Sequence, residues 1–319
     1  MARRPFSRMR VAVIGGGAMA AEHIRAFANV PGVTVAGIWN RTREKAETLA
    51  KKFSVPVVAD GIAQLHAQTN ADLAVVAVYE TAINPVMKQA MAQPWAILME
   101  KPVGLDLDDA QDIAAVAQAN RARVFVGLNR RCLSSTKAVL DDIADDPAPR
   151  FIHVQDQQSL DVARQIGHAE PVVRNWMYAN SIHTLDYFRV FGRGHITAVE
   201  SVFPWDPGHP GVVVAKVEFD SGDTGLYEGI WNGPGPWAVT VTTPEKRWEL
   251  RPLELAAFQL AGQRRLESVP VHHWDQQFKP GFRLQAEKAV AAALGQPSES
   301  PTLEDALETM RLIQAIYRQ

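Results

Sequence analysis

The chain reads as α/β: a doubly wound parallel sheet, followed by an α+β domain with a large, mostly antiparallel open sheet. Three observations predict this. Buried-strand and helix patterns alternate through the first 128 residues, a glycine-rich turn joins the first strand to the first helix, and after Asn129 longer alternating strands take over.

In the first part, residues 11–14 form a short β-branched run, glycines follow, and a helix pattern continues to Ala28. Residues 33–39 are the next strand and 44–53 the next helix, which completes one βαβ unit. The buried-strand pattern recurs at 73–78, 96–99 and 124–128, with helices at 85–91 and 108–120. Strands that are apolar throughout and separated by helices imply a parallel sheet covered on both faces.

Beyond Asn129, residues 134–143 and 181–191 read as helices, while 151–158, 197–203, 212–219, 224–231 and 238–243 alternate like antiparallel strands. Asp220-Ser221-Gly222-Asp223 and Asn232-Gly233-Pro234-Gly235-Pro236 are turn signals between the later ones. A sheet open on one face exposes apolar surface, so this face is expected to pack on another copy, as a homodimer or homotetramer. Residues 302–317 form an amphipathic helix with Leu303, Ala306, Leu307, Met310, Ile313 and Ile316 at helical spacing.

Composition narrows the function classes. With 319 residues, 47% hydrophobic and 21% charged, the chain can bury a large core and build two domains. A net charge of -2 leaves no electrostatic footprint for nucleic acid or an anionic membrane. The basic start, Arg3, Arg4, Arg8 and Arg10, lacks the apolar stretch of a secretory signal and reads as a loose tail before a strand. No apolar run approaches the roughly 20 residues of a membrane span. Cys132 is the only cysteine, so no internal disulfide is possible; it reads as a buried apolar side chain, and a cytoplasmic setting fits.

Two motifs carry chemistry. In Gly15-Gly16-Gly17-Ala18-Met19-Ala20, Gly15 permits the tight turn out of the strand, Gly17 lets backbone approach a pyrophosphate, and Ala20 allows close helix–strand packing. Free amides where Ala18 and Met19 open the helix would bind the phosphates. Downstream, Glu100-Lys101-Pro102 ends an apolar strand, where such sheets bind ligands, and the neighbouring carboxylate can hold the Lys101 ammonium in place. Together the motifs indicate an oxidoreductase with a nicotinamide cofactor. At the end of the second strand, where NAD-selective proteins carry an acid for the ribose, this chain has Asn40-Arg41. Neutral Asn40 does not repel a 2′-phosphate and Arg41 can pair with one, so NADP is expected in preference to NAD.

On the Gly15–Ala20 turn, Glu100-Lys101-Pro102, His183-Thr184-Leu185-Asp186 and the segment from Leu303-Glu304-Asp305-Ala306 to Ala315-Ile316-Tyr317, the chain resembles the glucose-fructose oxidoreductase and inositol dehydrogenase family, Gfo/Idh/MocA. The resemblance implies an N-terminal Rossmann domain, residues 1–128, and a substrate-binding and oligomerisation domain, residues 129–319, with helix 302–318 placed to pack back on the first. It implies hydride exchange between a nicotinamide and a sugar or polyol carbon, with Lys101 touching nicotinamide and substrate and His183 transferring a proton. Those residue types suit alcohol oxidation, which needs a group to take the hydroxyl proton and a cation to stabilise the alkoxide. Asp186, three residues after His183, either orients the imidazole or caps local structure.

The chain departs from the family pattern at several positions. Ala179 stands where many relatives carry an aspartate one turn before the histidine, with Tyr178 and Asn180 the polar neighbours that could replace it. Tyr79-Glu80 and Ile83 stand where Pro-Asn and a histidine are usual. The expected cofactor residues are Gly15, Gly17, Ala18, Met19, Asn40, Arg41, Val78, Tyr79, Glu100 and Lys101. The expected substrate residues are Lys101, Arg130, Trp176, Asn180 and His183, with Lys101 and His183 catalytic. Trp231 is a second tryptophan for a sugar face, weighed against a core role. His272-His273 lacks a third ligand at a recognisable spacing, so no metal is expected. The alternative to an enzyme is a nucleotide-binding sensor of the same fold without turnover.

Overall fold

In the computed structural model residues 9–317 are described; the expected basic tail at Arg3, Arg4 and Arg8, and the helix end at residue 318, lie outside them. Six strands, β1 (Met9–Ile14), β2 (Val33–Trp39), β3 (Val57–Val58), β4 (Leu73–Val76), β5 (Ala96–Glu100) and β6 (Val124–Gly127), form one sheet in the order β3-β2-β1-β4-β5-β6. Every pairing in it is parallel. The direction of winding reverses between β1 and β4, and the crevice outside the carboxyl ends of strands at such a reversal is where these folds take ligands. Strands β4 and β5 are buried along their whole length, which accounts for their unbroken apolar sequence.

Eight further strands make a second sheet: β7 (Phe151–Gln158), β8 (Ile196–Phe203), β9 (Val212–Phe219), β10 (Thr224–Trp231), β11 (Ala238–Thr242), β12 (Lys246–Leu250), β13 (Ala256–Leu260) and β14 (Glu267–Val269). Their order is β14-β13-β12-β11-β7-β10-β9-β8, antiparallel except where β10 runs parallel to β7. Along β7 and β10 buried residues alternate strictly with half-exposed ones, so one face is covered and the other open.

The chain divides into two compact units, and the division differs from the expected cut at residue 128. The first unit is Met1–Asn129 with Gln276–Leu307; the second is Arg130–Asp275 with Glu308–Gln319. The physical reason lies in helix Phe282–Ala293, not foreseen from the sequence. Its Phe282, Ala286, Ala289, Val290 and Ala293 join the core formed by Val11, Val13, Ile24, Phe27 and Leu98. Farther on, the Val126 amide donates to the Pro301 carbonyl at 2.9 Å, fastening the returning chain to β6.

In the second unit, the helical run Met177–Phe191 packs on β7. Beneath it lies a polar cluster. Asp156, 1% exposed, accepts from the Tyr227 hydroxyl at 2.8 Å and from Gln158 Nε2 at 2.6 Å. Tyr227 and Tyr317 share a hydroxyl hydrogen bond of 2.7 Å, and Trp231 Nε1 donates to Tyr317 at 3.2 Å. Trp231 is therefore a core residue, 3% exposed and packed on Trp205 and Tyr317. Burial pushes the Asp156 carboxyl above its usual value, and the hydrogen bonds from Tyr227 and Gln158 offset part of that.

A carboxyl raised in the folded state holds its proton more tightly there than in the unfolded chain. Its contribution is fully present below the unfolded value of about 3.9 and is lost as pH rises toward the folded value. Asp156→Asn is therefore expected to gain stability relative to the parent as pH rises from about 4 to 7, read as the difference in denaturant midpoints across that range.

Candidate functional site

Gly15 has φ 138°, and a Cβ there would lie 2.1 Å from the Ala77 carbonyl oxygen, so only glycine carries the chain out of β1 past β4. A Cβ at Gly16 would meet the Asn40 side chain at 2.8 Å. Gly17 is different: its backbone is extended, it precedes helix Ala18–Ala28, and a Cβ would touch nothing within 4 Å. That helix has no side-chain cap and no acid in its first turn, so its first amides face open space beside Gly17. Ala20 is fully buried, as close helix–strand packing requires. The turn thus offers what a dinucleotide's pyrophosphate needs: open amides, a positive helix end and space a side chain would fill.

At the end of β2, Asn40 donates from Nδ2 to the Thr42 carbonyl at 2.8 Å. Arg41 is exposed and makes no ion pair among the described residues, whereas Arg43 on the following helix is held by Glu47 and Asp60. A guanidinium is thus available at the position where an acid would select NAD. Val78, half-buried, and Tyr79, 42% exposed, leave the end of β4, and a short turn, Glu80–Ala82, leads into helix Ile83–Met91.

Lys101 is half-buried and follows β5 directly, adjacent to β4 in the sheet. Neighbouring side chains of a strand project to opposite sides, and the Glu100 carboxylate turns into the fold, meeting His23 Nε2 at 2.6 Å with only 9% of its side chain exposed. His23 lies on the glycine-turn helix, 1% exposed, with its ring centroid 4.7 Å from that of Phe282.

In the second unit, residues Met177–Ser181 form a π-helical turn that leads into helix Ile182–Leu185. Such widened turns recur at functional sites. His183 is half-buried on this helix, with its ring 6.2 Å from that of Trp237. Asp186 accepts a two-pronged hydrogen bond from Arg131, at 2.6 and 2.7 Å, and one from Thr309 at 2.8 Å, so its carboxylate secures local structure. Ala179 and Tyr178 are buried; Asn180 is half-buried and donates to Gln158 Oε1 at 2.8 Å. Trp176, 9% exposed, donates to the same oxygen at 2.9 Å and packs against His168, which leaves its indole little open face. Arg130 pairs with Glu254 at 2.6 Å and sits 5.9 Å above the Trp237 ring.

Trp237, missed by the sequence reading, is the residue that gathers this cluster. It lies just past the Gly233-Pro234-Gly235-Pro236 turn, half-buried at the start of β11, its Nε1 donating to the Gln157 carbonyl at 2.8 Å. The turn signal was visible; that the tryptophan after it would face His183 depends on the pairing of β11 with β7. Among the described residues no group of three or more His, Cys, Asp or Glu side chains could hold a metal ion.

The two glycines of the turn should separate on mutation. Gly15→Ala combines a strained φ with overlap on the Ala77 carbonyl and is expected to cost roughly 3 kcal/mol or more. Gly17→Ala should stay within about 1 kcal/mol, both read by chemical denaturation.

Comparisons with known proteins agree with this architecture. Residues 9–128 match the family model GFO_IDH_MocA, described as an oxidoreductase family with an NAD-binding Rossmann fold. YceM of Salmonella typhimurium, provisionally named an oxidoreductase, is 26% identical over 126 residues, which is 39% of this chain and 39% of that protein. A protein of Desulfitobacterium hafniense, provisionally named an NADPH-dependent oxidoreductase, superposes with a TM-score of 0.81 at 15% identity, covering 98% of this chain and 96% of that one. UDP-N-acetylglucosamine 3-dehydrogenase GnnA of Acidithiobacillus ferrooxidans gives 0.76 at 16% identity over 97% of each chain. At such identities the structural likeness speaks for the fold alone. The sheet order, the glycine turn and the matched segment together make residues 9–128 an NAD-binding Rossmann domain of the Gfo/Idh/MocA oxidoreductase family.

Proposed function

We propose that the protein is an oxidoreductase that moves a hydride between a nicotinamide dinucleotide, NADP in preference to NAD, and a secondary alcohol or carbonyl carbon of a sugar or polyol. One observation carries the reading. The carboxyl ends of the adjacent strands β1, β4 and β5 bring together an uncapped helix start behind Gly17, the Val78-Tyr79 segment and Lys101. The name of the Acidithiobacillus protein, a dehydrogenase of a sugar nucleotide, supports the substrate class, and that of the Desulfitobacterium protein supports NADP.

Gly15, Gly17, Ala18 and Met19 would hold the pyrophosphate, Asn40 and Arg41 the ribose with its 2′-phosphate, and Val78, Tyr79 and the Glu100-Lys101 backbone the remainder. When bound, the nicotinamide supplies the carbon that accepts or donates hydride. In the oxidation direction the imidazole of His183 takes the hydroxyl proton, and the ammonium of Lys101 stabilises the oxygen as it gains negative charge. Trp237 offers an aromatic face to the sugar ring, Arg130 and Asn180 offer polar contacts, and Trp176 backs the pocket through Gln158. We also propose a cytoplasmic setting and a homodimer or homotetramer formed through the open sheet face, where Phe151 and Val212 are 43% and 52% exposed. Light scattering should then give a mass at least twice that of the chain; a monomer at micromolar concentration would remove this assignment.

Turnover of a sugar and polyol panel, followed by nicotinamide absorbance with both cofactors, tests the central reading. Gly17→Val should fold but lose cofactor binding in calorimetry, and Arg41→Ala should weaken NADPH roughly 10- to 100-fold while NADH changes little. Lys101→Ala should retain cofactor and lose turnover, and His183→Ala should lower turnover by roughly 10²- to 10⁴-fold. Dinucleotide binding without turnover on any compound would point instead to a sensor.

A further inference from the structure

Beside the His183 cluster, within the second unit, lies a groove of about 540 Å³ lined by Pro234, Gly235, Pro236, Trp237, Arg251 and Pro252. That volume suits a small organic ligand of one or two rings. Three prolines and an indole form its walls, and the indole is fixed by its bond to the Gln157 carbonyl. Such walls lose little conformational freedom when a ligand settles on them.

The charges at this site are unequal in kind. Arg130, above the Trp237 ring, is matched by Glu254 at 2.6 Å. Arg251, the one charged residue lining the groove, is exposed and makes no ion pair among the described residues; its backbone amide is spent on the Leu255 carbonyl at 3.2 Å. The groove therefore presents an apolar aromatic floor with a single uncompensated guanidinium at its edge. A neutral sugar would use the floor and leave that fork of donors to water. A sugar bearing a carboxylate or phosphate would use both, because the planar guanidinium meets either group through two parallel hydrogen bonds.

We propose that the substrate is an anionic sugar or cyclic polyol, its ring lying against Trp237 and its carboxylate or phosphate paired with Arg251. This rests on the sugar oxidoreductase reading above and narrows it. It also makes Arg251 a specificity-determining residue: the pairing acts on a group remote from the reacting carbon, so it governs binding more than the chemical step.

The test uses the full chain with NADP and three matched compounds, a hexose, its hexuronate and its 6-phosphate, assayed for turnover and for binding by tryptophan fluorescence. The expected result is a KM at least 10-fold lower for one or both charged compounds than for the neutral hexose. Which of the two leads distinguishes a sugar acid from a sugar phosphate. Arg251→Ala should raise KM for the preferred compound 10- to 100-fold with a much smaller change in kcat, and Arg251→Lys should recover part of the loss. A hexose bound and turned over as well as its charged partners, with Arg251→Ala indifferent, overturns the proposal and leaves the sugar reading standing. If NADP binds but none of the three compounds binds or reacts, both readings fall together.

Discussion

The hydrogen bond between His23 and Glu100 is the constraint on which the first unit's chemistry depends. It joins the helix that follows the glycine turn to the last residue of β5, one position before Lys101, across 2.6 Å of buried space. Two polar side chains withdrawn from water are held here by bonding one another through His23 Nε2; removing either would strand its partner in an apolar setting. Phe282 closes the arrangement from the returning helix, its ring against the imidazole. The placement of the strand end is thus tied to the same helix whose N-terminus faces open space beside Gly17.

In the second unit the organising element is β7. Its buried side carries Asp156 and Gln158, which engage Tyr227, Trp176 and Asn180, while its last carbonyls orient Trp237. Gln158 Oε1 receives both Trp176 and Asn180, so the stretch approaching His183 is anchored to the sheet two residues at a time. The widened helical turn Met177–Ser181, which contains Asn180, shifts the register of the side chains that follow, His183 among them.

Much of this was legible in the residues, and what was not has identifiable causes. Strands β7, β9 and β10 run the full lengths that their alternating patterns predict, because one covered face enforces a period of two over eight residues. Strands β12, β13 and β14 give only a weak pattern because they are three to five residues long and mix polar with apolar positions near a sheet edge. Helix Phe282–Ala293 was overlooked because its buried face is mostly alanine and includes Arg283, Gln285 and Glu287, a weak apolar stripe whose partner strands lie far away in sequence. At the site, glycines and the lysine announce themselves by motif. The partner of Glu100 does not, since nothing in the local sequence says that a histidine 77 positions earlier is its neighbour.

The return of the chain to its first unit bears on how the protein is made. A ribosome releases β1 to β6 first, yet Phe282, Ala286, Ala289 and Val290, which complete their core, emerge only after the whole stretch from Arg130 to Asp275. At about 5 to 20 residues per second this is a delay on the order of ten seconds or more. During it the nucleotide-binding sheet is exposed along the surface those side chains will cover, while the second unit already has most of its strands. The glycine turn therefore reaches its final support only after the stretch Arg130–Asp275 has emerged.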